Sequence, residues 1–211
     1  VSTEVQTTKK TTLTDQMASE WGVDKEFLLS TLKETVFRGA TNEQLMSLLI
    51  IANVYHLNPF LREIYAFPSS TMGIIPVVGI DGWLRIMNEH PQFDGVEVVI
   101  SEDGKSATCT IYRKDRSKPV SITEYLSECD KGTSLWKKQP RRMLRHKAII
   151  QCVRIAFGFG GIYDPDDGQA IYEQQKSENK ASVKQQAELN IVSRLNARVV
   201  DISNNQEEVE D

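Results

Sequence analysis

The stretch WKKQPRRMLRHKAIIQCVRIAFGFGGIYD, residues 136–164, decides how the rest of the chain is read. Pro140 suits the first turn of a helix, where a backbone N–H has no partner to lose, and the glycines at 158, 160 and 161 end that helix. Its first half, RRMLRHK, is basic nearly all round. Its second half, AIIQCVRIAF, is apolar nearly all round apart from Gln151 and Arg154. One end is therefore expected at solvent or a ligand and the other, Ile150 and Ile155 included, in a core.

Working outward, the period of the pattern changes twice. Glu63–Phe67 and Gly73–Val78 alternate as strands around a Pro-Ser-Ser turn, with Pro76 marking an edge or bulge. Asp81 can cap a short helix, GWLRIMNEH. Val96–Ile100 and Ala107–Tyr112 flank Asp103-Gly104 as a hairpin, and Pro119–Thr123 adds a third strand. Nearer the N-terminus, Asp24 can cap a helix through about Phe37 with Phe27, Leu28, Leu32, Val36 and Phe37 as its buried stripe. Thr41 with Gln44 makes a capping box for a second helix to about Tyr55. Beyond Gly161 a polar helix runs from about Pro165 to Val199. The expected class is α+β: N-terminal helices, a small antiparallel sheet with hairpins, a long packing helix and a C-terminal helix. The expected divisions are a disordered N-terminus over 1–12, a core over 13–175, a helical extension over 176–202 and a disordered acidic tail over 203–211.

Composition bounds the rest. The 211 residues are 40% hydrophobic and 26% charged, which suits one globular core plus tails. Three scattered cysteines make no disulfide framework, and the polar start VSTEVQTTKKTT has no signal-peptide core, so a cytoplasm is the expected location. A net charge of −4 conceals strong segregation. Between Lys131 and Arg154 stand Lys137, Lys138, Arg141, Arg142, Arg145 and Lys147 with no Asp or Glu among them. Arg113, Lys114, Arg116 and Lys118 surround a single Asp115 just upstream, and after Asp164 acidic residues dominate. A basic middle points to a polyanion partner.

Several chemistries are missing. There is no G-x-x-x-x-G-K-[ST] loop, no C-x-x-C or H-x-x-x-H pair and no G-x-S-x-G elbow, so no catalytic residue, metal or cofactor is expected. GFGFGG follows a helix rather than a strand and reads as its terminator. Asp166, Asp167 and Glu173 could imitate a metal-dependent nuclease, but acidic residues at a helix start complement its dipole. Among the aromatic residues Trp136, read as lying in a loop before Lys137-Lys138, is the best candidate to stack a base.

The 136–164 stretch resembles the signature of the phage Red beta (Bet) proteins, in the RecT group of single-strand annealing recombination proteins. So do LLIIANVYHLNPFLREIYAFP (48–68), GIIPVVGIDGWLRIMNEHPQFDG (73–95) and CTIYRKDRSKPVSITEYLSEC (109–129), in the same order. The likeness covers about residues 13–175. It implies ATP-independent annealing of complementary single strands in phage homologous recombination, assembly into rings or helical filaments, and action beside a phage exonuclease and a host single-strand-binding protein. Set against Red beta, the stretch after residue 200 is expected to be too short for that protein's C-terminal partner-binding domain, and the linker between Cys129 and Trp136 is shorter. The resemblance also implies DNA-contacting roles for Arg113, Lys114, Arg141, Arg142, Lys147 and Arg154, with Arg62 beside them; Arg141 stands where Red beta has lysine. A passive single-strand coating protein and a nuclease are the competing readings.

Overall fold

The computed structural model describes residues 12–207, with side chains through Ile191. The expectations for residues 1–11 and 208–211 lie outside these. The described chain divides into two compact units, one through Gln169 and one from Ala170 onward.

The first unit opens on three helices. Helix α1 (Leu13–Glu20) was not anticipated, although its signal is present: Thr12 and Asp15 form a capping box, and Met17 and Ala18 are buried one helical turn later. Asp24 caps α2 (Lys25–Thr35), and Thr41 with Gln44 caps α3 (Asn42–Val54), as the sequence predicts. Leu28, Leu32, Leu45 and Leu49 join Met17 and Ala18 in a small core of their own. Phe27, expected in the α2 stripe, is 63% exposed, because the stripe that meets α1 and α3 runs through Leu28 and Leu32.

A 3-10 turn (Pro59–Leu61) leads into the hairpin of β1 (Ile64–Ser69) and β2 (Gly73–Val78), paired from Ile64 with Val78 to Ser69 with Gly73. The Pro76 carbonyl accepts from the Tyr163 N–H, and the Tyr163 carbonyl accepts from Val78. By strand alternation the Pro76 nitrogen therefore faces away from β1, where no ladder bond is lost. Helix α4 (Ile80–Glu89) follows at once, capped by Gly79 rather than by Asp81. It packs so closely on β1 that a Cβ at Gly82 would stand 2.5 Å from the Glu63 carbonyl oxygen.

The meander is β3 (Phe93–Ile100), β4 (Ser106–Arg113) and β5 (Val120–Tyr125), antiparallel in that order, so the α+β class holds with two small sheets in place of one. Short helices α5 (Leu126–Cys129) and α6 (Ser134–Lys138) precede α7 (Pro140–Phe157), which begins on its proline and ends on Gly158 in the left-handed region. Leu144, Ala148, Ile150, Cys152, Val153 and Ala156 join the main core with Ala107, Cys109 and Ile111 of β4. Ile155 does not; it is 58% exposed, and its face of α7 meets solvent. Helix α8 runs from Pro165 to Glu207, past the expected end near Val199 and into the stretch expected as a disordered tail.

Candidate nucleic-acid interface

The basic half of α7 and the preceding α6 set the geometry. Lys131, Lys137, Lys138, Arg141, Arg142 and Arg145 are all exposed. Among the described residues none of these six lies within 4 Å of a carboxylate, although the chain is acidic overall. Arg142 donates to the Gln139 side-chain oxygen at 3.1 Å, and Arg141 donates to the Glu102 carbonyl at 3.1 Å, beside Gly104 of the β3–β4 turn. That turn needs its glycine for the backbone, and the Arg141 guanidinium packs over it. Gly104 has φ +71°, and a Cβ there would stand 2.6 Å from the Arg141 Nε. Burial first, and then the charges of Arg142 and Arg145, hold the His146 imidazole below the ordinary histidine range.

Two residues expected at the interface belong to the interior. Trp136, the expected stacking ring, is wholly buried on α6, and its indole N–H donates to Asp166 Oδ2 at 3.1 Å. Lys147 is likewise buried and paired with carboxylates, away from the exposed basic side chains. Its side chain is 8% exposed and donates to Asp164 Oδ1 and Oδ2 at 2.7 and 2.8 Å and to Asp167 Oδ1 at 3.3 Å, with Asp166 Oδ2 at 3.5 Å. Burial works against the ammonium, yet the three carboxylates outweigh it and hold Lys147 above the usual lysine range. Asp164 is the central acid, since it also accepts from the backbone N–H groups of Asp166 and Asp167 and so caps α8. Burial and the shared Asp164 charge raise Asp167 above the ordinary carboxylate range, while Lys147 lowers Asp164 despite its burial. Sequence reasoning missed this assignment for the acidic residues. The available signal was an acidic trio following the one lysine of α7 by 17 to 20 positions.

Arg113 is half-committed. It pairs with Asp115 at 2.6 Å, donates to the Ala156 carbonyl and lies 5.2 Å over the Phe157 ring, with 12% of its side chain exposed. Arg116 stands 3.5 Å from the same Asp115. Lys114 is exposed, and Arg154 is half-buried; neither has a carboxylate within 4 Å among the described residues. Arg62 is exposed just before the first hairpin, held at φ +57° after the 3-10 turn.

No group of three His, Cys, Asp or Glu that could hold a metal ion occurs among the described residues, and none of the described helices is long and apolar enough to cross a membrane. Asp166 and Asp167, two of the acids that could imitate a nuclease site, are instead engaged by the Trp136 indole and the Lys147 ammonium. What the face offers is several mobile or forked cations without counter-ions, suited to phosphate oxygens and indifferent to base sequence.

Comparison with known proteins bears on the same residues. The RecT family matches residues 25–183, which takes in the whole of α6 and α7. Recombination protein bet of Escherichia phage lambda is 49% identical over 176 residues, covering 77% of this chain and 67% of that protein.

Proposed function

This chain belongs to the RecT family, a family of non-catalytic single-strand annealing recombination proteins, and from that premise we propose that it anneals complementary DNA strands without hydrolysing a nucleotide. The surface that holds the DNA is the exposed basic face of α6 and α7, with Lys114, Arg116, Arg154 and Arg62 as outlying contacts. Annealing asks that two polyanions approach each other while their base edges stay free. Cations that grip phosphates meet the first requirement, and because phosphate contacts carry no base identity they meet the second. The observation that carries this reading is six exposed basic residues, Lys131 in the loop before α6 and five on α6 and α7, with no carboxylate partner among the described residues.

A single subunit grips only a short length of strand, so the proposal includes a homo-oligomer, ring or filament, that adds such contacts along DNA. A phage exonuclease and a host single-strand-binding protein are the proposed partners. The test is fluorescence-quench annealing of complementary oligonucleotides without nucleotide at several salt concentrations. Faster duplex formation than in protein-free controls supports the proposal. Binding without acceleration would make the protein a passive coat, and a requirement for hydrolysable nucleotide would overturn the mechanism.

A further inference from the structure

From Asp130 to Gln139 the chain has one buried residue, Trp136; its neighbours from Lys131 to Leu135 and from Lys137 to Gln139 are all exposed. The segment carries Lys137 and Lys138 on a helix of five residues, too short to hold itself in water. Gln139, at φ −139° and ψ 55°, breaks the backbone between α6 and α7, so the two helices do not share one rigid axis. The Trp136 ring is the side chain that anchors α6 in the core, beside the Arg142–Gln139 bond that ties the end of α6 to α7, and the ring N–H donates to Asp166 at 3.1 Å. The same Asp166 carboxylate lies 3.5 Å from Lys147 of α7, the helix that bears Arg142 and Arg145.

We infer that Asp166 is a positioning residue for single-stranded DNA: by accepting the Trp136 N–H it holds Lys137 and Lys138 in line with the arginines of α7. The inference rests on the proposed DNA-binding reading of this face. Its sign runs against simple electrostatics. A carboxylate beside a basic face repels phosphate, so its removal should by charge alone strengthen binding. As an anchor, its removal should weaken binding, because an orphaned indole N–H lets the lysines drift.

Two substitutions that remove the same charge separate these effects. Asp166→Asn keeps a side-chain oxygen to accept the indole N–H; Asp166→Ala does not. The full chain is titrated with a mixed-sequence single-stranded oligonucleotide over a salt series, alongside thermal melts and the Lys137→Ala/Lys138→Ala double variant. Two lost phosphate contacts flatten the plot of log K against log salt by about 1.4 units on single strands, which is about tenfold weaker binding near 0.15 M salt. The expected result is that Asp166→Ala approaches the double-lysine variant in slope and affinity, while Asp166→Asn keeps the parent slope. A lowered melting temperature alone would reduce the active fraction without changing the slope. Equal slopes for Asn and Ala beside a weakened double-lysine variant overturn the inference and leave the DNA-binding reading intact. A double-lysine variant that binds like the parent overturns both. If Asp166→Ala is unfolded at the assay temperature, Trp136→Phe carries the same test, since it deletes the donor, keeps an aromatic ring and changes no charge; an unchanged slope there overturns the inference.

Discussion

Lys147 Nζ lies 2.7 Å from Asp164 Oδ1, between side chains only 8% and 1% exposed, so each group replaces water that the other has lost. Breaking one side of such a pair is costly because the remaining charge is left buried and alone. Lys147→Ala and Asp164→Ala are each expected to destabilise the fold by about 3–5 kcal/mol. The double substitution should cost clearly less than the two single losses added, and a double-mutant cycle by urea denaturation measures the difference. Additive losses would show that the pair does not interact.

Arg142 and Arg145 are exposed and without carboxylate partners among the described residues, the opposite case. Arg142→Ala and Arg145→Ala should leave the melting temperature nearly unchanged. Each should flatten the salt dependence of single-strand binding by about 0.7 units per phosphate released, whatever the base sequence. Salt titrations on two oligonucleotides of different composition check both parts, and a sequence-dependent loss would argue for base readout instead.

Within the same helix Ile150 is 3% exposed and Ile155 is 58% exposed. Ile150→Ala is expected to cost about 2–5 kcal/mol, and Ile155→Ala to stay within about 1 kcal/mol of the parent. Chemical denaturation of the two variants decides it; comparable losses would place Ile155 in a core.

Stability should fall on mild acidification. Burial first, and then neighbouring arginines, hold His90 and His146 below the ordinary histidine value of 6.5. The His90 Nδ1 also accepts the Gln92 N–H at 3.2 Å, a bond that protonation there would remove. A base whose folded value is depressed stabilises the fold fully above its unfolded value, and that contribution is lost as pH drops from about 6.5 through the folded value. Urea midpoints at pH 7.5 should exceed those at pH 5, and His90→Gln should narrow the gap. A midpoint that is flat over this window would contradict the assignment.

Local grammar was legible in the sequence. The Thr41–Gln44 box, Asp24, the Asp103-Gly104 turn and the Pro140-to-Gly158 span of α7 each depend on residues within one turn or one helix, and each stands where the sequence placed it. The candidate site was half legible. Its arginines lie on the expected helix, but Trp136 and Lys147 changed sides because their partners, Asp166 and Asp164, are 30 and 17 residues away. A basic residue beside other basic residues reads as surface until the carboxylate that neutralises it is located in space. Ile155 failed for a related reason. An almost uniformly apolar helix half has no period to say which face the sheet covers, and the answer depends on β4 and β5.

The bridge between β2 and Tyr163 also has a meaning in time. Val78 donates to the Tyr163 carbonyl, and the Tyr163 N–H donates back to Pro76, so the outer edge of the first hairpin is closed by a residue made long after it. The ribosome must add the whole meander and α7 before that residue exists, a delay on the order of ten seconds at ordinary elongation rates. Until then β2 presents an unclosed edge with Ile75 and Val77, both fully buried in the finished fold. Between the first hairpin and the start of α8 the nascent chain therefore carries that edge open to mispairing.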